Sequence, residues 1–384
     1  MSWETYKVKD LCSDIIDCVN KTAPISETPT EYKMLRTSDI RNGTINIFGL
    51  NCVSKEIFDI WTRRGKLHKG DIIFTREAPL GEVGLVRYPD NYFLGQRLVL
   101  FRANPQVCDN RFLLYAFLHH ENKQSIIAKG VGATVLHLRV PECEKIEIKV
   151  PDINTQHRIA DILSAYDDLI ENNQKQIKLL EEAVQRLYKE WFVELRFPGY
   201  ENTTIVDGVP QGWRKGSLGE IASFKRGKTI TKDQTCAGDI PVVAGGLEPA
   251  YYHNQANTLS PVITVSGSGA NAGFTRMYHT PIWASDCSFV DSQNTSNIYF
   301  AYCVLKSKKE DIDALQKGAA QPHVYAKDIN ALELLVPDSN CLAEFERIVA
   351  LFFEKIKVLF KQIELSKESR DRLLPKLMSG ELEV

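Results

Sequence analysis

The chain repeats part of its own sequence almost half its length further on. Residues 175–187 read KQIKLLEEAVQRL and residues 361–373 read KQIELSKESRDRL, so seven of thirteen positions agree at an offset of 361 − 175 = 186. The same offset aligns His137 with His323. A period this long exceeds the roughly 20–50 residues of solenoid repeats. The sequence therefore predicts two copies of a domain-plus-helix unit.

The repeated phrase belongs to a long heptad pattern. From Ile159 to Trp191 the seam positions, nearly all apolar, follow one another at alternating steps of four and three residues, without a glycine or proline. This spacing is typical of a helix that packs lengthwise on another helix. We expect Asn154 or Thr155 to cap its start and the segment FPGYE at 197–201 to end it. About 40 residues at a rise of 1.5 Å correspond to a rod of roughly 60 Å.

A second helix is predicted in the C-terminal copy of the pattern. Pro375 is expected to kink or stop this helix. Because a whole domain lies between the two helices in the chain, we expect them to pair antiparallel, with Asn173 fixing their register at some cost in stability. The alternative is that each helix packs only on its own domain. The residues predicted to form the pairing seam are Leu163, Tyr166, Ile170, Ile177, Leu180, Phe352, Ile356, Leu359 and Ile363.

The remaining sequence predicts two mixed α/β (α+β) globular domains. Short β-like runs such as GDIIFT, GEVGLVRY and RLVLFR in the first half, and IPVVAGG, SPVITVSG and CSFVD in the second, alternate with turn residues. Segments 110–128 and 296–315 read as amphipathic helices and precede turns at Gly132 and Gly318. The predicted boundaries are 1–152 for the first globular domain, 153–197 for the first long helix, 198–338 for the second globular domain and 339–384 for the second long helix.

Charge is unevenly distributed along the chain. The formal net charge is −2, so a nucleic-acid interface would need local basic surfaces. The stretches 61–76 and 213–232 are strongly basic, although a solvated face is the simpler explanation of either one. The loop SGSGANAG at 266–273 is a weak candidate for a phosphate contact, and an ordinary surface hairpin explains it as well. The candidate contact residues are Arg63, Arg64, Lys66, Arg76, Lys225, Arg226, Lys228, Ser266, Ser268 and Asn271.

The sequence contains no recognisable catalytic or metal-binding motif. HExxH and GxSxG are absent, and so is the NPPY-type tetrapeptide expected of an adenine methyltransferase. The nine cysteines are scattered without a CxxC pair, which favours reduced thiols and a cytoplasmic location and argues against a zinc site. His137 and His323 are interpreted as structural turn residues rather than ligands. The sequence contains no run of about 18 apolar residues, so it predicts no membrane-spanning helix.

Several segments resemble the specificity subunit of type I restriction–modification systems. They are LGEIASFKRGKTI, PVITVSGSGANAG, GAAQPHVYAKDINALELLVPD and, most specifically, the helix RIADILSAYDDLIENNQKQIKLLE. The resemblance implies two target recognition domains joined by two antiparallel helical regions, with a pseudo-two-fold internal repeat. It also implies a bipartite, asymmetric site on double-stranded DNA, read by a subunit without catalytic activity.

The resemblance further implies partners and cofactors. Two methylation subunits would bring S-adenosylmethionine, and two restriction subunits would bring ATP and Mg²⁺, whereas this chain would bind no cofactor itself and no membrane. Two other hypotheses stay open on the sequence alone. One is a self-contained nuclease or methyltransferase, which the missing motifs disfavour, and the other is a coiled-coil adaptor that does not read DNA.

Overall fold

The computed structural model describes residues 3–89, 91–317 and 322–384, so the predicted turn at Gly318 lies outside the described residues. Contacts divide the chain into two units. Unit 1 consists of Met1–Glu171 with Ile363–Val384, and unit 2 of Asn172–Gln362. Both long helices are continuous across this division, so each unit contains part of each helix. The domain boundaries drawn from the sequence stay predictions.

Unit 1 is a mixed α/β structure. Its strands are β1 (Glu4–Lys7), β2 (Cys12–Asp17), β3 (Lys33–Leu35), β4 (Ile40–Arg41), β5 (Thr44–Ile45), β6 (Asn51–Cys52), β7 (Ile72–Thr75), β8 (Val83–Leu85), β9 (Tyr92–Leu94), β10 (Leu98–Ala103) and β11 (Glu147–Val150). Its helices are α1 (Val8–Leu11), α2 (Lys55–Trp61), α3 (Asn110–Leu118), α4 (His120–Ala128), α5 (Val140–Glu144) and the first part of α6 (Ile153–Tyr188).

Unit 2 is of the same class. Its strands are β12 (Ile205–Val206), β13 (Val209–Pro210), β14 (Arg214–Ser217), β15 (Lys225–Arg226), β16 (Ile240–Val243), β17 (Tyr251–His253), β18 (Val262–Ser266), β19 (Thr275–Tyr278), β20 (Trp283–Ala284), β21 (Cys287–Asp291) and β22 (Glu333–Val336). Its helices are α7 (Leu218–Ile221), α8 (Ile298–Ser307), α9 (Lys309–Ala314), α10 (Ala326–Asn330) and most of α11 (Ser339–Ser379), with the end of α6 and a π-helical segment at Lys189–Val193.

The sheets confirm that the architecture is repeated. Unit 1 contains a four-stranded antiparallel sheet in the order β2-β10-β7-β8, and unit 2 contains one in the order β15-β21-β18-β19. A three-stranded sheet accompanies each, β6-β3-β9 in unit 1 and β17-β16-β20 in unit 2. The two-stranded pairs β1-β11 and β14-β22 also correspond. In the two four-stranded sheets, β7, β8, β18 and β21 fall within segments that the sequence predicted to be strands, and β10 extends one residue beyond its predicted segment. Strands β2, β15 and β19 were not predicted.

The core of unit 1 lies between its four-stranded sheet and α3. Every side chain of β7 is buried, and the rings of Phe74, Phe101 and Phe117 contact one another with centroids 5.4–5.7 Å apart. Burying one such side chain contributes about 1.5–3 kcal/mol. Helix α3 begins at this core because the Asp109 carboxylate accepts hydrogen bonds from the backbone N–H groups of Arg111 and Phe112.

The first long helix is capped by a different residue from the one expected. The side chain of Asp152 accepts hydrogen bonds from the N–H groups of Asn154 and Thr155, each at 3.1 Å, so the prediction of Asn154 or Thr155 as the cap was wrong. Asp338, 186 residues later, accepts from Asn340 and Cys341 at 2.9 and 3.0 Å. An aspartate can reach the free N–H groups of the first turn from just outside the helix, which stabilises both starts.

The two long helices pair antiparallel within each unit, as predicted. In unit 1 the guanidinium of Arg370 on α11 lies 2.6 Å from the Asp167 carboxylate on α6, and further along Leu377 packs into one core cluster with Ile159. In unit 2 the Asn173 amide donates to Gln362 at 3.2 Å. The rings of Trp191 and Phe345 lie 5.8 Å apart.

Burial along the helices follows most of the predicted seam. The buried members are Leu163, Ile170, Ile177, Ile356, Leu359 and Ile363, whereas Tyr166, Leu180 and Phe352 are partly buried. Phe353, one position after Phe352, takes the buried place instead and stacks on Tyr299 of α8 with centroids 4.5 Å apart. Helix α11 therefore packs on its own domain as well as on α6, which moves the buried stripe off a strict heptad.

Pro375 does not stop the second helix. Helix α11 continues through it to Ser379, and Gly380, in the left-handed conformation with φ of 77°, follows its last residue. Proline has no backbone N–H and so removes one intrahelical hydrogen bond. Because Pro375 lies near the C-terminus of α11, only the last turn of the helix is affected by this loss. In the described ranges no helix combines the length and the apolar character that crossing a membrane requires.

Candidate nucleic-acid interface

Part of the basic stretch of unit 1 forms an exposed loop after α2. Arg63, Arg64 and Lys66 are all exposed on it. The Arg64 guanidinium donates to the carbonyl of Cys18 at 2.7 Å and lies 3.4 Å from the Asp17 carboxylate. The loop is therefore tied to the end of β2, while the charges of Arg63 and Lys66 face solvent. Such a loop can contact phosphates without a change in the fold.

Arg76 occupies a different environment from the rest of that stretch. Its side chain is 16% exposed, its guanidinium lies 3.1 Å from the Asp17 carboxylate, and it donates to the Leu138 carbonyl at 3.4 Å. The Asp17 oxygen that faces Arg76 has no hydrogen-bond partner among the described residues. The contact between Arg76 and Asp17 is therefore an ion pair that lacks the alignment of a hydrogen bond. Arg76 thus joins three segments of unit 1 and is poorly placed for the phosphate contact that the sequence suggested.

A polar cavity of about 260 Å³ opens beside Arg76. It lies where the segments that follow β2 and β7 meet the residues before β10 and α5, and Leu138 is its one apolar lining residue. Its cations are Arg76, Arg97 and Arg139. The Arg97 guanidinium lies 3.5 Å from the Glu77 carboxylate, and Arg139 is exposed. The cavity therefore presents guanidinium donors at the end of the four-stranded sheet.

The basic residues of unit 2 lie along β15 and the loop after it. Lys225 and Arg226 form β15 and are exposed. The Lys225 ammonium donates to the Asn294 side chain at 3.1 Å, and the Arg226 guanidinium lies 3.7 Å from the Asp286 carboxylate. The Lys228 ammonium lies 6.0 Å from the centre of the Trp283 ring, where a weak cation–π attraction operates. These cations are brought together on one edge of the sheet.

The glycine-rich loop joins β18 to β19 as an ordinary hairpin connection. Ser266 is buried and its hydroxyl donates to the Gly245 carbonyl at 2.9 Å, so it is withdrawn as a candidate contact. The Ser268 hydroxyl donates to Asp286, and Asn271 lies in a short 3₁₀ turn, both partly exposed. Ser268 and Asn271 stay predictions.

The two repeated histidines have equivalent structural positions. His137 exchanges two backbone hydrogen bonds of 2.9 Å with Val131, and His323 exchanges two with Lys317, at 2.8 and 3.0 Å. Since 131 + 186 = 317, the two pairs are equivalent across the repeat. The interpretation of His137 as a turn residue is confirmed for its backbone, and its side chain also lines the cavity. Residues 318–321 lie outside the described ranges, so the interpretation of His323 stays a prediction.

Sequence reasoning missed Arg97, Arg139 and Asp286. Arg97 is the first residue of a predicted strand and Asp286 stands just before another, and the repeat offset pairs Arg139 with Tyr325, because 139 + 186 = 325. A comparison of the two halves at the ends of their strands would have identified these positions. The search for clusters of like charge overlooked them because each is isolated in sequence.

Burial makes at least four of the nine cysteine thiols unreactive near neutral pH. Burial raises the pKa of Cys12, Cys143, Cys287 and Cys341 to about 12 in each case. These thiols stay protonated near neutral pH, and the thiolate is the reactive form. Among the described residues no group of three or more His, Cys, Asp or Glu side chains is arranged to hold a metal ion.

Family comparison agrees with this architecture. A model of the type I restriction modification DNA specificity domain matches residues 1–182 and 210–371, so the chain belongs to the family of type I restriction–modification specificity subunits. The type I restriction enzyme MjaIX specificity subunit of Methanocaldococcus jannaschii is 28% identical over 349 residues, which cover 82% of this chain and 78% of that protein. The HindI specificity subunit of Haemophilus influenzae is 22% identical, with 99% of each chain covered.

A solved structure shows the same fold. The crystal structure of the type I restriction–modification system S subunit from M. genitalium matches with a TM-score of 0.61 at 21% identity, and the match covers 98% of this chain and 96% of that one. The mixed α/β units and the long helices described above are therefore the fold of this family.

Proposed function

We propose that this chain reads a bipartite, asymmetric site on double-stranded DNA, one half-site with each unit. The observation that carries the proposal is that one architecture is built twice, with different exposed basic side chains at the same end of the four-stranded sheet in each copy. Because the two units share one architecture, both can dock on DNA in the same way. Because their exposed side chains differ, the two units can recognise different bases.

The basic residues divide into two kinds of contact. Arg63 and Lys66 in unit 1, and Lys225 and Lys228 in unit 2, would neutralise phosphates and supply affinity. Exposed arginines such as Arg226 would reach base edges in the major groove, where a good bidentate contact supplies about 1–3 kcal/mol of discrimination. The net charge of −2 makes binding depend on these local surfaces rather than on the whole molecule.

The rest of the proposal concerns partners. The chain would scaffold two methylation subunits and two restriction subunits without catalysing a reaction itself. S-adenosylmethionine would be bound by the methylation subunits, and ATP and Mg²⁺ by the restriction subunits. Membership of the specificity-subunit family supports this division of labour.

A second candidate is an adaptor that assembles other proteins through the long helices without reading DNA. It is favoured by exposed apolar side chains on those helices, such as Leu179, which is 64% exposed, and Leu351, which is 70% exposed. Surfaces of this kind are usually covered by partners. The two candidates differ in how salt should affect DNA binding.

The discriminating experiment is a salt series of DNA binding by the chain assembled with its methylation subunit. If about five phosphates are neutralised, raising salt from 50 to 200 mM should weaken binding by about 10²–10³-fold. A parallel series with the methylation subunit alone subtracts that subunit's own contribution. A slope equal to that of the methylation subunit alone would favour the adaptor.

A further inference from the structure

The cavity of unit 1 is built on a backbone framework that recurs in unit 2. The N–H of Arg76 donates to the Arg97 carbonyl at 2.8 Å, and the N–H of Gly267 donates to the Asp286 carbonyl at 3.3 Å. The Arg76 carbonyl then accepts from Leu138 at 3.0 Å. These contacts pair Arg76 with Gly267 and Arg97 with Asp286.

Three further contacts complete the equivalence. Val324, which stands 186 residues after Leu138, donates to the Gly267 carbonyl at 3.1 Å. An isolated bridge joins Glu77 to His137 in unit 1, and another joins Ser268 to His323 in unit 2. The framework is thus the same in both units at every backbone contact compared.

The side chains on this common framework are chemically opposed. Where unit 1 has the ion pair of Glu77 with Arg97, unit 2 has a hydrogen bond from Ser268 to Asp286. A second position is reversed as well. Asp17, opposite Val99 in β10, corresponds to Arg226, opposite Ser288 in β21. Arg139 corresponds to Tyr325. When two surfaces share a backbone geometry but carry opposite charges, we expect them to dock in the same position and to bind different chemical groups.

The chemistry of the two surfaces selects different bases. The major-groove edge of guanine offers two acceptors, N7 and O6, to a forked guanidinium, whereas the amino group of cytosine donates to a carboxylate. Arg76 is held by Asp17 and the Leu138 carbonyl and so acts as a positioning residue. Arg97, with one moderately long ion pair, and Arg139, without a hydrogen-bond or ion-pair partner in the described residues, are the groups available to a base.

We propose that the loop cluster around Glu77, Arg97 and Arg139 is the specificity-determining edge of unit 1 and takes guanine, and that Ser268 and Asp286 form the matching edge of unit 2 and take cytosine. This inference rests on the proposed function and locates its base contacts. The Glu77 carboxylate orients the Arg97 fork, as the Ser268 hydroxyl orients the Asp286 carboxylate. Phosphate contacts by Arg63, Lys66, Lys225 and Lys228 supply affinity without sequence preference.

The test exchanges the two pairs in the full chain assembled with its methylation subunit. One variant combines Glu77→Ser with Arg97→Asp, and the reciprocal variant combines Ser268→Glu with Asp286→Arg. Each complex methylates a library of duplexes with randomised base pairs, and the methylated duplexes are sequenced. Arg97→Lys, which keeps the charge but loses the fork, serves as a conservative variant, and Arg63→Gln as a basic-residue control outside the cavity.

The first double variant should lose at least tenfold of its preference for guanine at one position of one half-site and gain a preference for cytosine there. The reciprocal variant should gain guanine in the other half-site only. Arg97→Lys should weaken the guanine preference several-fold, and Arg63→Gln should reduce methylation evenly across sequences.

Unchanged base preferences in variants that still methylate, or an even loss across all sequences, would overturn the inference, and so would a first half-site without guanine in the wild type. Should the double variants fail to fold, Arg97→Lys decides alone. The proposed function fails separately, in the wild-type complex, if methylation there shows no sequence preference.

Discussion

Glu346 is a buried carboxylate that caps a helix to which it does not belong. It lies on α11 and accepts hydrogen bonds from the N–H groups of Phe300 at 2.7 Å and Tyr299 at 3.4 Å, in the first turn of α8. Burial raises the pKa of Glu346 to about 7, although the two hydrogen bonds oppose this rise. The residue therefore links the long helix to the globular part of unit 2 through a group that titrates near neutral pH.

The raised pKa predicts a loss of stability as pH rises. Between the ordinary value of about 4.5 and 7 the folded chain holds a proton that the unfolded chain has released, so the free energy of unfolding falls across this interval. Relative to Glu346→Gln, the wild type should lose roughly 2–3 kcal/mol between pH 4.5 and 7.5. Urea unfolding of both proteins across that range measures the difference, and parallel curves would contradict the assignment.

At the residue scale, the sequence predicts chemical types better than it predicts the atoms that carry out each role. It placed a helix cap within three residues of Asp152 but chose its neighbours, because Asp, Asn and Thr can all cap and only the backbone position decides. The sequence also indicated Ser266 as a candidate DNA contact, although Ser266 is buried. Sequence alone does not distinguish a serine whose hydroxyl faces solvent from one whose hydroxyl donates to a carbonyl.

The two long helices differ in what they pack against in each unit. In unit 1 Arg370 lies 2.6 Å from Asp167, whose other oxygen accepts from the Tyr115 hydroxyl at 2.5 Å. The repeat offset pairs Arg370 with Val184, since 370 − 186 = 184. In unit 2 both counterparts are buried and apolar, because 167 + 186 = 353 pairs Asp167 with Phe353 and Arg370 is replaced by Val184. The polar network is thus particular to unit 1 and fixes the register of the pair there.

Breaking this network should be costly because it leaves a largely buried carboxylate without its cation. Arg370 and Asp167 are 19% and 18% exposed at their side chains, so Arg370→Leu should destabilise the chain by about 2–4 kcal/mol. Adding Asp167→Asn removes the unpaired charge and should recover about half of that loss. Chemical unfolding of the single and double variants measures the coupling, and additive losses would show that the two residues act independently.

Element-scale prediction succeeded where periodicity was strong and failed where tertiary packing set the boundary. Segment 110–128 was read as one helical stretch, yet α3 and α4 meet at His119, which is buried and extended in ψ. No glycine or proline marks that break. Phe353 rather than Phe352 is buried for a related reason. A heptad count assumes that a helix packs on one partner, whereas α11 packs on both α6 and its own domain.

On the scale of the whole molecule, duplication explains both the likeness of the units and their difference. The equivalence of His137 and His323 was readable from the constant offset, whereas the common sheet order was not, because the offset differs from strand to strand. The division of the chain through the middle of both long helices was not readable, because sequence shows where helices begin and end but not which contacts dominate along them. The opposed charges of the two edges became visible only when backbone contacts aligned residues at different offsets.

The central claim, that each unit reads its own half-site, is tested most directly by replacing residues 207–338 with the equivalent segment of a relative that has a different DNA preference. The chimaera is assembled with the methylation subunit, and the methylated adenines are mapped on genomic DNA. The account predicts that the sequence of one half-site changes to that of the relative while the other is retained. A change in both half-sites, or in neither, by a complex that still methylates DNA would contradict it.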